Sequence, residues 1–181
     1  DASEGLTAQD AHIAGYAHEA GRSSIVVVNK WDLVPAGMVR KSEVVEQVQE
    51  RLQFMDYAPV CFTSATEGEG LDGLFTTVER VVDEGKRRIT NAEVTEVLRR
   101  ALERRPITIA GKPLTLQAAS HVSLSPPTFA VRVNQPNEVH FSYERYMVKC
   151  LSQAFGFQGS TIRLSVRRAI GSTRKTSRTP R

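Results

Sequence analysis

Ile25-Val26-Val27-Val28-Asn29-Lys30-Trp31-Asp32 is the stretch on which the reading of this chain turns. Four consecutive β-branched residues predict a parallel strand, over 24–29, buried on both faces. The polar run then falls where the strand stops. In an open α/β sheet, ligands bind at the carboxyl ends of the strands. A second, shorter apolar run, Val60-Cys61-Phe62, ends in the same way on Ser64-Ala65-Thr66-Glu67-Gly68-Glu69-Gly70. One helix-length segment lies between them, so the two polar runs are expected to form two walls of one pocket.

The residue types suit a purine base. Guanine presents two adjacent donors, N1–H and the 2-amino group, and a coplanar carboxylate accepts both in a charge-assisted pair that adenine cannot form. Asp32 is the candidate for that carboxylate. Asn29 offers an amide for base edges or for tying neighbouring loops together. The Lys30 stem can lie over the base plane while its ammonium reaches solvent or ribose. Trp31 completes the candidate nucleotide-binding run but is expected to pack against protein. Ser64 and Ala65 open a turn whose backbone N–H groups suit the guanine carbonyl.

Asn-Lys-x-Asp followed 35 residues later by Ser-Ala resembles the base-recognition half of translation-factor-type GTPases. A narrower likeness covers the chain to about Ala169. Asp1-Ala-Ser-Glu-Gly-Leu-Thr-Ala-Gln-Asp10, Ala14-Gly-Tyr-Ala-His-Glu-Ala-Gly21 and Val28-Asn-Lys-Trp-Asp-Leu33 resemble the second GTPase domain of the Der (EngA) ribosome-assembly GTPases. Phe141-Ser-Tyr-Glu-Arg-Tyr146 and Ser160-Thr-Ile-Arg163 resemble that family's C-terminal KH-like domain. The resemblance implies GTP or GDP as ligand, magnesium held by residues outside this chain, and action on the assembling large ribosomal subunit and its rRNA. It implies neither a membrane nor DNA. The compartment implied is the cytoplasm of a bacterium, or alternatively a mitochondrial or plastid matrix.

A phosphate-binding G-x-x-x-x-G-K-[ST] run and a preceding Asp-x-x-Gly loop are both missing from the sequence. Asp1 reads as the end of a strand that begins before the chain. The expected fold class is therefore α/β, the back half of a P-loop GTPase-type parallel sheet, followed by a small KH-like α+β domain. No catalytic residue is assigned, and the chain alone is expected to be inactive.

Composition bounds the rest. No apolar run approaches membrane-spanning length, and Asp1-Ala-Ser-Glu lacks the charge and apolar core of a secretory signal. Cys61 and Cys150 suit reduced, buried thiols, and His12, His18, His121 and His140 supply no zinc spacing. His12 and His18 are expected at a surface or core edge. The charge is lopsided: residues 1–144 carry 15 Lys/Arg and 20 Asp/Glu, whereas residues 145–181 carry 9 Lys/Arg and no acid. A basic end of this kind suggests a nucleic-acid-facing terminus, with a solvated tail as the alternative. Arg163, Arg167, Arg168, Arg174, Lys175, Arg178 and Arg181 are the candidate RNA contacts.

Three units are expected: a partial GTPase domain over 1–88, a KH-like domain over 89–170 and a basic tail over 171–181. Asp83-Glu-Gly-Lys-Arg-Arg88 reads as the first boundary. Thr7 with Asp10 caps a first helix that carries a face of Ala8, Ala11, Ala14 and Ala17, and Gly21 stops it. A helix over roughly 39–54 buries Val45, Val48, Leu52 and Met55. Leu71, Leu74, Phe75, Val78 and Val82 are the apolar stripe of the next. In the second unit, Thr90-x-x-Glu93 opens a helix that Pro106 ends. Strands follow over 114–122 and 128–134, then a helix over 143–155 capped by Ser142, and a strand over 161–167. Gly156-Phe157-Gln158-Gly159 matches the G-x-x-G with which KH domains clamp nucleotides. It follows a helix and precedes a strand, so a helix cap and turn are expected instead. The alternative function is a non-enzymatic rRNA-docking module with a vestigial nucleotide pocket.

Overall fold

The computed structural model describes residues 1–168. The longer elements follow one another as α1 (Ala8–Glu19), β1 (Val26–Val28), α2 (Lys41–Arg51), β2 (Val60–Phe62), α3 (Leu71–Lys86), α4 (Asn91–Arg104), β3 (Thr108–Ile109), β4 (Lys112–Pro113), β5 (Leu116–Leu124), β6 (Pro127–Val133), α5 (Phe141–Phe155) and β7 (Arg163–Arg168). The arrangement is mixed α/β. The short β3–β4 hairpin, turned through Ala110 and Gly111 at positive φ, was not foreseen.

Local signals are realised where they are short in range. The Thr7 and Thr90 hydroxyls cap α1 and α4, and Asp10 and Glu93 answer in capping boxes. At α5 the cap is His140 instead of Ser142: the His140 ring Nδ1 accepts from the Ser142 N–H at 3.3 Å. Gly70 opens α3 at φ 74°, and a Cβ there would lie 2.1 Å from the Phe62 carbonyl oxygen. Only glycine fits that approach.

In the first half, β1 and β2 pair in parallel, with Val26 opposite Val60 and Val28 opposite Phe62. Val48, Leu52 and Met55 form the local core, and Ala11 and Ala14 of α1 pack on it. Three expectations fail. Val27 is 40% exposed, because this sheet has two strands among the described residues and one face of β1 lies open. The α3 stripe also fails in part: Leu71 and Leu74 are half-buried, but Phe75 is 64% exposed and Val78 and Val82 are exposed too, while Val81 is the residue that α3 buries. Ala8 is likewise exposed, outside the packed alanine face.

The second half packs α4 and α5 on one face of a β5–β6–β7 sheet, antiparallel between β5 and β6 and parallel between β6 and β7. Val94 and Leu98 of α4, Phe129, Val131 and Val133 of β6, and Met147 and Leu151 of α5 are fully enclosed. Truncating such a residue to alanine costs roughly 2–5 kcal/mol through lost transfer energy and the cavity left behind. The Thr95 hydroxyl bonds both the N–H and the carbonyl of Ala119, and Asn91 accepts from the His121 N–H, so α4 covers the edge of β5.

The halves meet along residues 156–161. Gly156 caps α5 as expected, its N–H donating to the Ser152 carbonyl at 2.8 Å. Gly159 does something else. Its N–H donates to the Tyr57 carbonyl and its own carbonyl accepts from the Ser24 N–H, both at 2.7 Å. A Cβ on Gly159 would sit 2.5 Å from Val81 Cγ2. Phe157, fully buried, donates its N–H to Glu84 Oε2 at 2.7 Å, and Arg87 Nη1 donates to the Phe155 carbonyl at 3.0 Å. The Ser23 and Ser160 hydroxyls pair at 2.9 Å.

Candidate functional site: two loops at the ends of β1 and β2

Asn29 and Thr63 follow directly on the ends of the two parallel strands, which places the polar runs side by side. The Thr63 N–H donates to the Val28 carbonyl and the Trp31 N–H donates to the Thr63 carbonyl, each at 3.0 Å, extending the ladder past the strands. Lys30 takes the left-handed conformation (φ 61°, ψ 38°), uncommon for a residue with a Cβ, and this turns Trp31 toward Thr63. Asn29 is the cross-brace. Its Oδ1 accepts from the Thr63 hydroxyl and from the Ala65 N–H, both at 3.1 Å.

The remaining candidates divide by role. Trp31 packs on protein, edge-on to Phe62 with ring centroids 4.7 Å apart, and Lys41 Nζ lies 5.7 Å from the Trp31 ring centroid. Ser64 is fully buried; its hydroxyl accepts from the Glu67 N–H at 3.2 Å, and its N–H donates to the Glu69 carbonyl at 2.9 Å. Its bonds shape the turn. Asp32 stands on a single 3-10 turn, Trp31–Leu33, with its side chain exposed. The Lys30 ammonium reaches Asp1 Oδ2 at 2.5 Å, an exposed pair that adds little stability. The Ala65 N–H is directed at Asn29. Sequence reasoning missed Thr63 and Phe62, whose only signal is their place at the end of the second apolar run.

The basic end is less uniform than its composition suggests. Arg163 and Arg167 lie on the open face of the sheet, as the alternation of β7 requires. Arg163, however, donates from Nη2 to the Glu19 carbonyl at 2.8 Å, at the C-terminal end of α1 where the helix dipole favours a cation. Arg167 is exposed and Arg168 ends the strand. Arg174, Lys175, Arg178 and Arg181, with the tail over 171–181, lie outside the described residues. Arg132 of β6, directly opposite Arg167, was not foreseen.

A sheet whose strand ends carry Asn-Lys-x-Asp and Ser-Ala loops, joined to a three-stranded α+β unit, is the arrangement of a GTPase-type fragment linked to a KH-like domain. Residues 1–84 match the model of the elongation factor Tu GTP-binding domain. Residues 88–167 match the KH-domain-like, C-terminal domain of EngA bacterial GTPase enzymes. GTPase Der of Moorella thermoacetica is 44% identical over 169 residues, covering 93% of this chain and 39% of that protein. GTPase Der of Halothermothrix orenii is 44% identical over 165 residues, covering 91% and 38%. The chain belongs to the Der (EngA) GTPase family and spans about two fifths of the length of these relatives. A solved structure of Era with MgGDPNP and nucleotides 1506–1542 of 16S ribosomal RNA aligns at 15% identity with a TM-score of 0.38, covering 93% of this chain and 63% of that one.

Proposed function

We propose that this chain is the base-recognising and RNA-facing portion of a GTPase that acts in assembly of the large ribosomal subunit. The observation that carries the reading is the Asn29 brace, which holds the two loops together at 3.1 Å on each side. Asp32 takes the guanine N1–H and 2-amino group, Asn29 and the Ala65 loop fix the position of the base, Lys30 covers its plane, and Ser64 keeps the turn in shape. Trp31 supports from behind through Phe62. Phosphate and magnesium contacts come from residues outside this chain and supply most of the charge stabilisation in phosphoryl transfer. The units run over 1–88, 89–170 and 171–181, and the protein works in the cytoplasm of a bacterium.

The test is a pair of measurements. Full-length protein should bind GTP and GDP and hydrolyse GTP, whereas the 181-residue chain should show no turnover above background. Turnover by the chain alone would place the active site elsewhere. Full-length protein that binds ATP as well as GTP would remove Asp32 from the base site.

A further inference from the structure

We propose that the open face of the β5–β6–β7 sheet is a docking surface for the phosphate backbone of duplex RNA, anchored by Arg132 and Arg167. It rests on reading the chain as part of an RNA-facing protein, and deepens that reading by naming the surface and the ligand chemistry.

The register builds the surface in three rows. Ala118, Arg132 and Arg167 form one row, Ser120, Ala130 and Ser165 the next, and Thr128 with Arg163 the third. None of these positions is acidic. Arg132 and Arg167 stand directly opposite each other in the ladder and are both exposed. Like charges placed so destabilise a sheet. Among the described residues neither guanidinium has a carboxylate partner to offset that repulsion. An anion bound across the pair would.

The row of small residues beside the arginine pair says which anion. Ala118, Ser120 and Ala130 are small and, with Arg132, line a shallow groove of about 530 Å³ between the sheet and α4, and Ser165 carries the row of small residues on to β7. Glu96 borders it, but its carboxylate is held by Arg99 at 2.8 Å and Arg100 at 2.7 Å. Single-stranded RNA is gripped by stacking its bases on rings, and these rows contain no ring. Duplex RNA is met through phosphates and shape, which needs an arginine pair over a flat floor. Arg163 is already engaged by the Glu19 carbonyl, so it contributes field more than contact.

The experiment titrates a short mixed-sequence RNA duplex, its separated strands and poly-glutamate into the full 181-residue chain across a salt series, with R132Q, R167Q and the double variant beside it. Each lost phosphate contact lowers the log–log salt slope by roughly 0.7–0.9, so the double variant should lose up to about 1.8 on duplex. Melting midpoints of the variants should equal or exceed that of the parent chain, since repulsion is relieved. An unchanged slope with intact duplex binding overturns the surface and leaves the RNA reading standing. Absence of any RNA binding by the parent chain overturns both. Preference of the parent chain for the separated strands overturns the duplex assignment. Loss of poly-glutamate binding with RNA binding untouched assigns the face to an acidic protein, against the proposal. A lowered melting midpoint in either single variant overturns the unbalanced-pair premise.

Discussion

Glu84 and Phe157, 73 residues apart, are joined by a hydrogen bond of 2.7 Å from the Phe157 N–H to Glu84 Oε2. It fastens the end of α3 to the turn after α5, beside the Gly159 contacts with Tyr57 and Ser24. Removing the acceptor leaves a buried N–H unpaired, at a cost of roughly 1–3 kcal/mol. Glu84→Ala should therefore lower the urea midpoint, and Glu84→Gln, which keeps an acceptor oxygen, should recover most of it. Equal midpoints for Glu84→Ala and the parent chain would mean that the clasp carries no stability.

Asn29→Ala should loosen the turn at Ser64 without unfolding the strands. The Thr63 hydroxyl and the Ala65 N–H lose their shared acceptor, whereas the backbone bonds of Thr63 remain. Hydrogen exchange at the Ala65 amide should accelerate while that at Val28 holds. Asn29→Asp keeps an acceptor and should protect Ala65. Unaltered exchange at Ala65 in Asn29→Ala would remove the brace.

Asp32→Asn in the full-length protein should move base preference from guanine toward xanthine. The carboxylate accepts two hydrogen bonds, whereas the amide brings a donor suited to a 2-oxo group. The loss of guanine affinity should be roughly 1.5–3 kcal/mol, read by titration calorimetry with GDP and XDP. Undiminished GDP affinity would exclude Asp32 from the base site.

Stability should fall on mild acidification. Burial lowers the pKa of His121, stacked on Phe129 and accepting from the Ile89 N–H, and that of His18, packed against Phe54 and Tyr57. A histidine depressed in the folded state stabilises the fold while it is neutral; below the ordinary value of 6.5 the unfolded chain binds the proton more readily. The contribution is then present above that value and lost as pH drops through the folded one. The urea midpoint should decline as the pH falls below 6.5, less steeply in a His18→Gln/His121→Gln variant. An equally steep decline in that variant would place the titration elsewhere.

The sequence by itself determined what depends on neighbours along the chain. The strand ending in Asn29-Lys30-Trp31-Asp32, the capping boxes at Thr7 and Thr90, and the alternation that puts Arg163 and Arg167 on one face all follow from short-range sterics and hydrogen bonding. Only the tertiary structure decided what stands opposite each face. Periodicity marked Phe75, Val78 and Val82 as an apolar stripe, yet α3 buries Val81, because the turn at Gly159 packs there and the stripe has nothing against it among the described residues. The second glycine of the G-x-x-G looked like a turn residue; the Val81 side chain of α3, which leaves no room for a Cβ, is what requires it, and Tyr57 and Ser24 hold its backbone in place. Arg163 counted as a free cation until the Glu19 carbonyl reached it, and Arg132 gained meaning only when strand pairing set it against Arg167. A side chain's spacing fixes which way it points on its own element, and long-range packing alone fixes what it meets.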